Sequence, residues 1–154
     1  MIAYAAEKLD TAMLDICSML PAQWAHTGDS EVECQPNWGL YRQMDQHDAV
    51  LIVMARDEGR PVGYMVAFIY PHPNAVSVRI AEIRTYYVEK GRALVLNSMI
   101  DFTLGELARR GIFRIDSYTH AEHSAGRLWE LKGFKPARIG YSLKLKPPAE
   151  TRYA

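Results

Sequence analysis

The segment AEIRTYYV (81–88), EKGRA (89–93), LVLNSMIDFTLGELARRG (94–111), FRIDSYTH (113–120) and AEHSAGRLWELKGF (121–134) decides the fold. It reads as strand, tight loop, long helix, strand, short helix. In the long helix Leu96, Met99, Ile100, Thr103, Leu104 and Leu107 recur at helical spacing and form one apolar face. Arg109 and Arg110 complement the negative end of its dipole, and Gly111 suits the left-handed position after it. Gly105 inside the helix implies close approach to a sheet. Lys90-Gly91-Arg92, between strand and helix, marks an anion site. Amide N–H groups at a helix start point outward, and the dipole there favours negative charge.

Outward from this segment, the N-terminal side is richer in strands. Residues 2–5 read as a short strand. Thr11 is a candidate N-cap for a helix carrying Met13, Ile16, Cys17 and Leu20, with Pro21 ending it. Residues 26–37 are polar and irregular, and 38–46 form a short helix. The unbroken apolar run over 49–55 predicts a buried strand. Asp57-Glu58-Gly59-Arg60 is a turn, and 62–70 the return strand of a hairpin. Pro71-His72-Pro73-Asn74 breaks the sheet before a strand over 77–88. After Gly133, which stops the last helix, residues 140–146 predict a final strand. The order predicts an α/β (α+β) fold: a mixed sheet of six or seven strands with helices on both faces. One domain spans 1–146, and 147–154 is a loose tail.

Bulk composition narrows the function. The chain has 154 residues, 49% of them hydrophobic and 23% charged, as in an ordinary globular domain. Its 18 basic and 18 acidic residues cancel, so no general field steers it to nucleic acid or to an anionic membrane. Any anion must meet a local patch. No apolar run approaches a membrane span, and no signal peptide is evident. Cys17 and Cys34 lack metal-ligand spacing, and two thiols in such a domain fit a reducing cytoplasm.

The order of elements resembles the GNAT superfamily of acyl-CoA N-acetyltransferases over about residues 49–145. ARDEGRPVGY (55–64) is similar to that family's hairpin "x-D-G-x-x-V-G-Y", and LWELKGF (128–134) to its "L-Y-E-K-L-G-F" helix end. GNAT-like proteins of tailed phages share a "Y-Y-[LV]…K-G-R-A" strand and loop and a "H-x-x-x-x-x-L-[FW]-E" helix, which also stand here. The chain departs from the family at the loop. The usual "R/Q-x-x-G-x-G/A" is shortened to Glu89-Lys90-Gly91-Arg92-Ala93-Leu94, with one glycine.

The resemblance implies direct transfer of an acetyl group from acetyl-CoA to an amine, with no metal. It implies that strands 77–88 and 114–118 run parallel and splay into a slot for pantetheine. Tyr86, Tyr87 and Val88 would face the cofactor, one of them polarising the thioester carbonyl through its backbone N–H. The amides of Gly91, Arg92, Ala93, Leu94 and Val95 would cradle the pyrophosphate beside Lys90 and Arg92, because amides need geometry rather than side chains. Glu82, six residues before Val88, matches the general base of histone-acetyltransferase-like members, unless it is tied to Arg84.

The family often draws its proton donor from a tyrosine, and Trp129 stands there with a pantetheine-side place. Tyr118, His120 or a water would have to substitute. His120 and His123 lack a third metal ligand, and Glu122 replaces a usual asparagine. Glu31 and Glu33 read as solvated loop carboxylates, and His72 as a loop residue. Two functions stay open: an acetyltransferase acting on an unidentified small-molecule or protein amine, or a catalytically degenerate GNAT fold serving as a binding or structural part, in a phage particle or against a host factor. Cytoplasm of a bacterium or of an infected host is the expected location, with the virion open and homo-oligomerisation undecided.

Overall fold

A computed structural model describes residues 1–27, 33–119, 125–138, 140–143 and 145. The elements in chain order are β1 (Ile2–Glu7), α1 (Leu9–Thr27), α2 (Trp38–Gln46), β2 (Val50–Asp57), β3 (Arg60–His72), β4 (Ala75–Val88), α3 (Ala93–Arg109), β5 (Arg114–Ser117) and α4 (Gly126–Leu131). The strands make one sheet in the order β1-β2-β3-β4-β5. The first three junctions are antiparallel and the last, β4 with β5, is parallel.

The unbroken apolar run becomes β2, buried at every position from Val50 to Ala55 because both faces of the sheet are covered there. On one face Val50, Ile52, Tyr64 and Val66 pack with Leu9, Ile16 and Met19 of α1. On the other, Leu51, Val53, Met65 and Ala67 pack with Met99, Ile100 and Leu107 of α3 and with Trp129 of α4. The two-residue turn Glu58-Gly59 has φ of 50° and 88°, the mirror-image geometry that suits strand twist.

Several expectations are corrected. Pro21 does not end the first helix. It lies inside α1, which runs on to Thr27. Tertiary bonds from Gln23 to Thr85 (3.0 Å) and from Tyr64 to Gln23 (3.2 Å) hold the turn after the proline in place. Thr11 is not the cap, since α1 starts at Leu9, whose N–H is bonded by the Asp45 carboxylate at 3.1 Å. The sheet break at 71–74 shrinks to a turn between His72 and Ala75.

Gly105 approaches nothing: it is exposed, and a Cβ there would meet no atom within 4 Å. Gly63 is the glycine set against backbone instead, where a Cβ would lie 2.7 Å from the Tyr87 carbonyl oxygen.

Among the described residues the sheet has five strands rather than six or seven. The described residues between 140 and 145 form no strand, and Tyr141, Leu143 and Leu145 are all exposed. Alternation makes a strand only where an edge and a covering layer receive it, and neither meets these residues. The helix expected over 121–132 is described from Gly126 to Leu131, and residues 121–124 lie outside the described chain.

Candidate active site

The slot begins where β5 stops. The parallel ladder pairs Ile80 with Arg114 through Ile83 with Ser117. β4 then runs five residues further, to Val88, still paired with β3. The Glu89 N–H donates to the Val62 carbonyl at 3.0 Å. In an antiparallel ladder bonded residues alternate, so the N–H groups of Val88 and Tyr86 face the opposite edge. No described strand pairs that edge beyond Ser117. Two backbone donors thus face the gap between the diverging strands.

Beyond Val88 the chain turns through Gly91, at φ 83°, into α3. Arg92 occupies the N-cap, and its N–H is spent on the Glu89 carbonyl at 3.2 Å. The Val95 N–H is likewise spent on the Arg92 carbonyl at 2.9 Å. Of the five amides expected to cradle a pyrophosphate, those of Gly91, Ala93 and Leu94 have no acceptor among the described residues. Leu94 is largely exposed, so its side chain does not fill the space over the helix start, whereas Val95 is buried in the core.

The charges of this loop are already engaged. Arg92 pairs with Asp57 at 3.0 Å and with Glu89 at 3.3 Å. Arg60 forks onto the same Glu89, one arm at 2.9 Å. The chain's amino terminus reaches Asp57 at 3.3 Å. Bonds from Arg92 hold the Asp57 carboxyl below the usual carboxylate range, and those from Arg60 do the same for Glu89. Lys90 is exposed and pairs with no carboxylate among the described residues.

Glu82 is opposite Phe68, so the two share the α1/α2 face of the sheet. Its carboxylate is tied to Arg84 at 2.6 Å and accepts from the Tyr70 hydroxyl at 3.4 Å. Asp116 is its register partner on β5. Tyr118, half-exposed, follows β5 on the rim of the same face. His120, His123, Glu122 and Glu31 lie outside the described residues. Glu33 is exposed and bonded by Gln35 at 2.8 Å.

Trp129 is 5% exposed, edge-on to Tyr86 at 5.8 Å and to Phe134 at 5.1 Å. It is a core residue that fixes the Tyr86 side chain on the α3/α4 side, where burial pushes the phenol pKa up. The side chain of Tyr87 lies on the other face, 6.3 Å from the Tyr64 ring. The N–H groups of Tyr86 and Val88 therefore face the open edge, that of Tyr87 faces β3, and the Tyr86 and Tyr87 rings pack on opposite faces of the sheet.

A cleft of about 710 Å³ opens on the α1/α2 face. Its walls are Trp24 from α1, Trp38 and Tyr41 from α2, and Tyr64, Arg84 and Thr85 from the sheet. Sequence reading missed this wall. The signal was the pair Trp38 and Tyr41, three residues apart on one helix face, with ring centroids 5.7 Å apart. Arg84 and Thr85, adjacent in sequence, both line the cleft because the β3–β4 register shifts between Val66 and Ala67, which pair with Thr85 and Ile83. Such a bulge re-aims a side chain. Among the described residues no cluster of His, Cys, Asp and Glu could hold a metal ion, and no helix is long and apolar enough to cross a membrane.

The five-stranded order with its parallel last pair is a fold shared with solved acetyltransferase structures. No family model and no curated protein matches the sequence, but solved structures match the fold. A ribosomal-protein-alanine N-acetyltransferase from Brucella melitensis biovar Abortus 2308 superposes with a TM-score of 0.73 at 16% identity, covering 96% of this chain and 99% of that one. A predicted acetyltransferase with acetyl-CoA from Clostridium acetobutylicum gives 0.63 at 15%, covering 94% and 96%. An aminoglycoside acetyltransferase from an uncultured soil metagenomic sample gives 0.69 at 10%, covering 97% of each chain.

Proposed function

We propose that the protein is an N-acetyltransferase that moves an acetyl group from acetyl-CoA to an amine by direct transfer. The observation that carries this reading is the β4 edge past Ser117, where the Tyr86 and Val88 donors stand beside a helix start with three uncommitted amides. In this reading the pyrophosphate rests on the amides of Gly91, Ala93 and Leu94. Lys90, rather than the already paired Arg92, supplies the uncompensated positive charge. Pantetheine follows the β4 edge, and the thioester oxygen accepts from Tyr86 or Val88, which stabilises the developing oxyanion.

The amine nitrogen bonds the acetyl carbon, the carbon–sulfur bond breaks, and its electron pair leaves on sulfur. Glu82, through a water, takes the proton lost by nitrogen, and the Tyr118 hydroxyl gives one to the thiolate. His120 is the alternative for either role. A calorimetric titration with acetyl-CoA, followed by a thiol-release assay over a panel of amines, tests the reading. Binding and acceptor-dependent release of CoA support it.

The second reading is a GNAT fold without catalysis, used for binding or assembly, as in a phage particle or against a host factor. The engagement of Arg92 by Asp57 and Glu89 favours it, as does a core indole at the place of the usual tyrosine donor. Absence of acetyl-CoA binding would decide for it.

A further inference from the structure

The cleft on the α1/α2 face has a composition that selects among acceptors. Its rings are continuous: Trp38 stands 5.7 Å from Tyr41, and Tyr41 meets Phe68 edge-on at 5.8 Å. Tyr41 and Tyr64 are both buried enough for desolvation to raise their phenol pKa values. Ile16, Leu20, Ile52 and Val66 line the cleft beside these rings. Charge is sparse. The described lining holds one carboxylate, Glu33, and one guanidinium, Arg84. Arg84 and Thr85 line the cleft from β4, which leads on to the Tyr86 donor.

We propose that this cleft takes an amine with an aromatic or apolar body and no second positive charge. The proposal rests on the acetyl-transfer reading for its chemistry and on the cleft alone for its selectivity. Flat apolar bodies gain by stacking on Trp38 and Tyr41 and by leaving water. A polyamine or aminoglycoside would bring further ammonium groups against a wall whose described residues offer a single carboxylate. It would also face the Arg84 cation, and each unpaired charge moved from water into apolar surroundings costs free energy. Glu82, ion-paired to the lining residue Arg84 at 2.6 Å, marks the end of the cleft toward which the reactive nitrogen is directed.

The test compares 2-phenylethylamine with spermidine and kanamycin as acceptors for acetyl-CoA, read as CoA thiol release, with calorimetry of each amine alongside. Expected is a kcat/KM for 2-phenylethylamine at least tenfold above that for either polycation. Trp38→Ala should raise KM for 2-phenylethylamine at least fivefold, leaving kcat close to wild type. Tyr41→Ala gives the same reading should Trp38→Ala fail to fold. Calorimetric binding of 2-phenylethylamine without turnover, lost in the Trp38 variant, would keep this inference and end the acetyl-transfer reading. Faster turnover of spermidine or kanamycin would do the reverse. No binding of 2-phenylethylamine would overturn the inference whatever the turnover.

Discussion

Glu82 and Arg84 are ion-paired at 2.6 Å on the cleft side of the sheet, although two residues apart on one strand. Residues i and i+2 of a strand share a face. The register shift at Val66/Ala67 does not separate this pair, and Arg84 of the two lines the cleft. The carboxylate expected to act as base and the arginine expected to compete for it occupy one place. The pair fixes the Glu82 carboxylate in place, and an exposed partner such as Arg84 adds only about 0.2–1 kcal/mol of stability.

Glu82→Gln keeps the shape and removes the base. The acyl-transfer rate should fall about 10²- to 10⁴-fold, with acetyl-CoA affinity close to wild type. The melting temperature should move by only a few degrees, on the scale of one surface ion pair. Turnover and thermal melting on this single variant check it. A full-rate enzyme with a lowered melting temperature would give Glu82 a structural role only.

Lys90→Ala should weaken acetyl-CoA binding by about 1–3 kcal/mol, the scale of a hydrogen bond to a charged group. Arg92→Glu should weaken it on a similar scale, and should also loosen the loop by placing a third carboxylate beside Asp57 and Glu89. Calorimetry separates the two effects when paired with melting curves: Lys90→Ala leaves stability unchanged and Arg92→Glu lowers it. Unchanged affinity in both variants would place the cofactor elsewhere.

Gly63→Ala should destabilise the fold by about 1–3 kcal/mol, as overpacking does. The added Cβ would stand 2.7 Å from the Tyr87 carbonyl oxygen and 3.0 Å from Val88 Cγ2. Each kcal/mol corresponds to about 2–4 °C in a chain of this size. β4 can yield only by moving its last residues, so acetyl-CoA affinity should fall together with the melting temperature. Equal stability in Gly63→Ala would show that β3 and β4 separate freely there.

The Asp57 and Glu89 pair gives the loop a pH signature. Arginine partners hold both carboxyl groups below their ordinary values of 3.8 and 4.5. A depressed folded-state pKa contributes stability that is complete above the unfolded value and lost as pH falls through the folded one. The Glu89→Gln variant should therefore melt below wild type at pH 7, and the gap should close below about pH 4. Melting curves from pH 7 to 3 check this. A gap independent of pH would mean that Glu89 acts through packing rather than charge.

The elements were legible wherever a pattern is local. The bounds of α2 came out as read, because Asn37 caps the Leu40 N–H at 3.0 Å and the apolar spacing follows at once. The stop at Gly133 was also visible, since a left-handed residue with φ 89° needs no distant partner. The site was legible only as candidates. Tyr86, Tyr87 and Val88 were placed on the right strand, yet which of them faces the slot through backbone follows from the Val62–Glu89 bond. That Trp129 is buried against Tyr86 and Phe134 follows only from the packing. An aromatic at helical spacing cannot announce which layer will cover it.

Periodicity, turn residues and helix stops are properties of neighbouring residues, and the chain order carries them: the hairpin, the long helix and the alternation of strand and helix after Val88. Three features depend on residues far apart in sequence. Arg92 is neutralised by Asp57, 35 positions away. Pro21 is held within a helix by a tether from Gln23 to Thr85, 62 positions away. The apolar alternation over 141–145 finds no strand to pair with among the described residues. Each depends on which surfaces folding brings within a few ångströms, and hydrogen bonds, ion pairs and burial act only at that range.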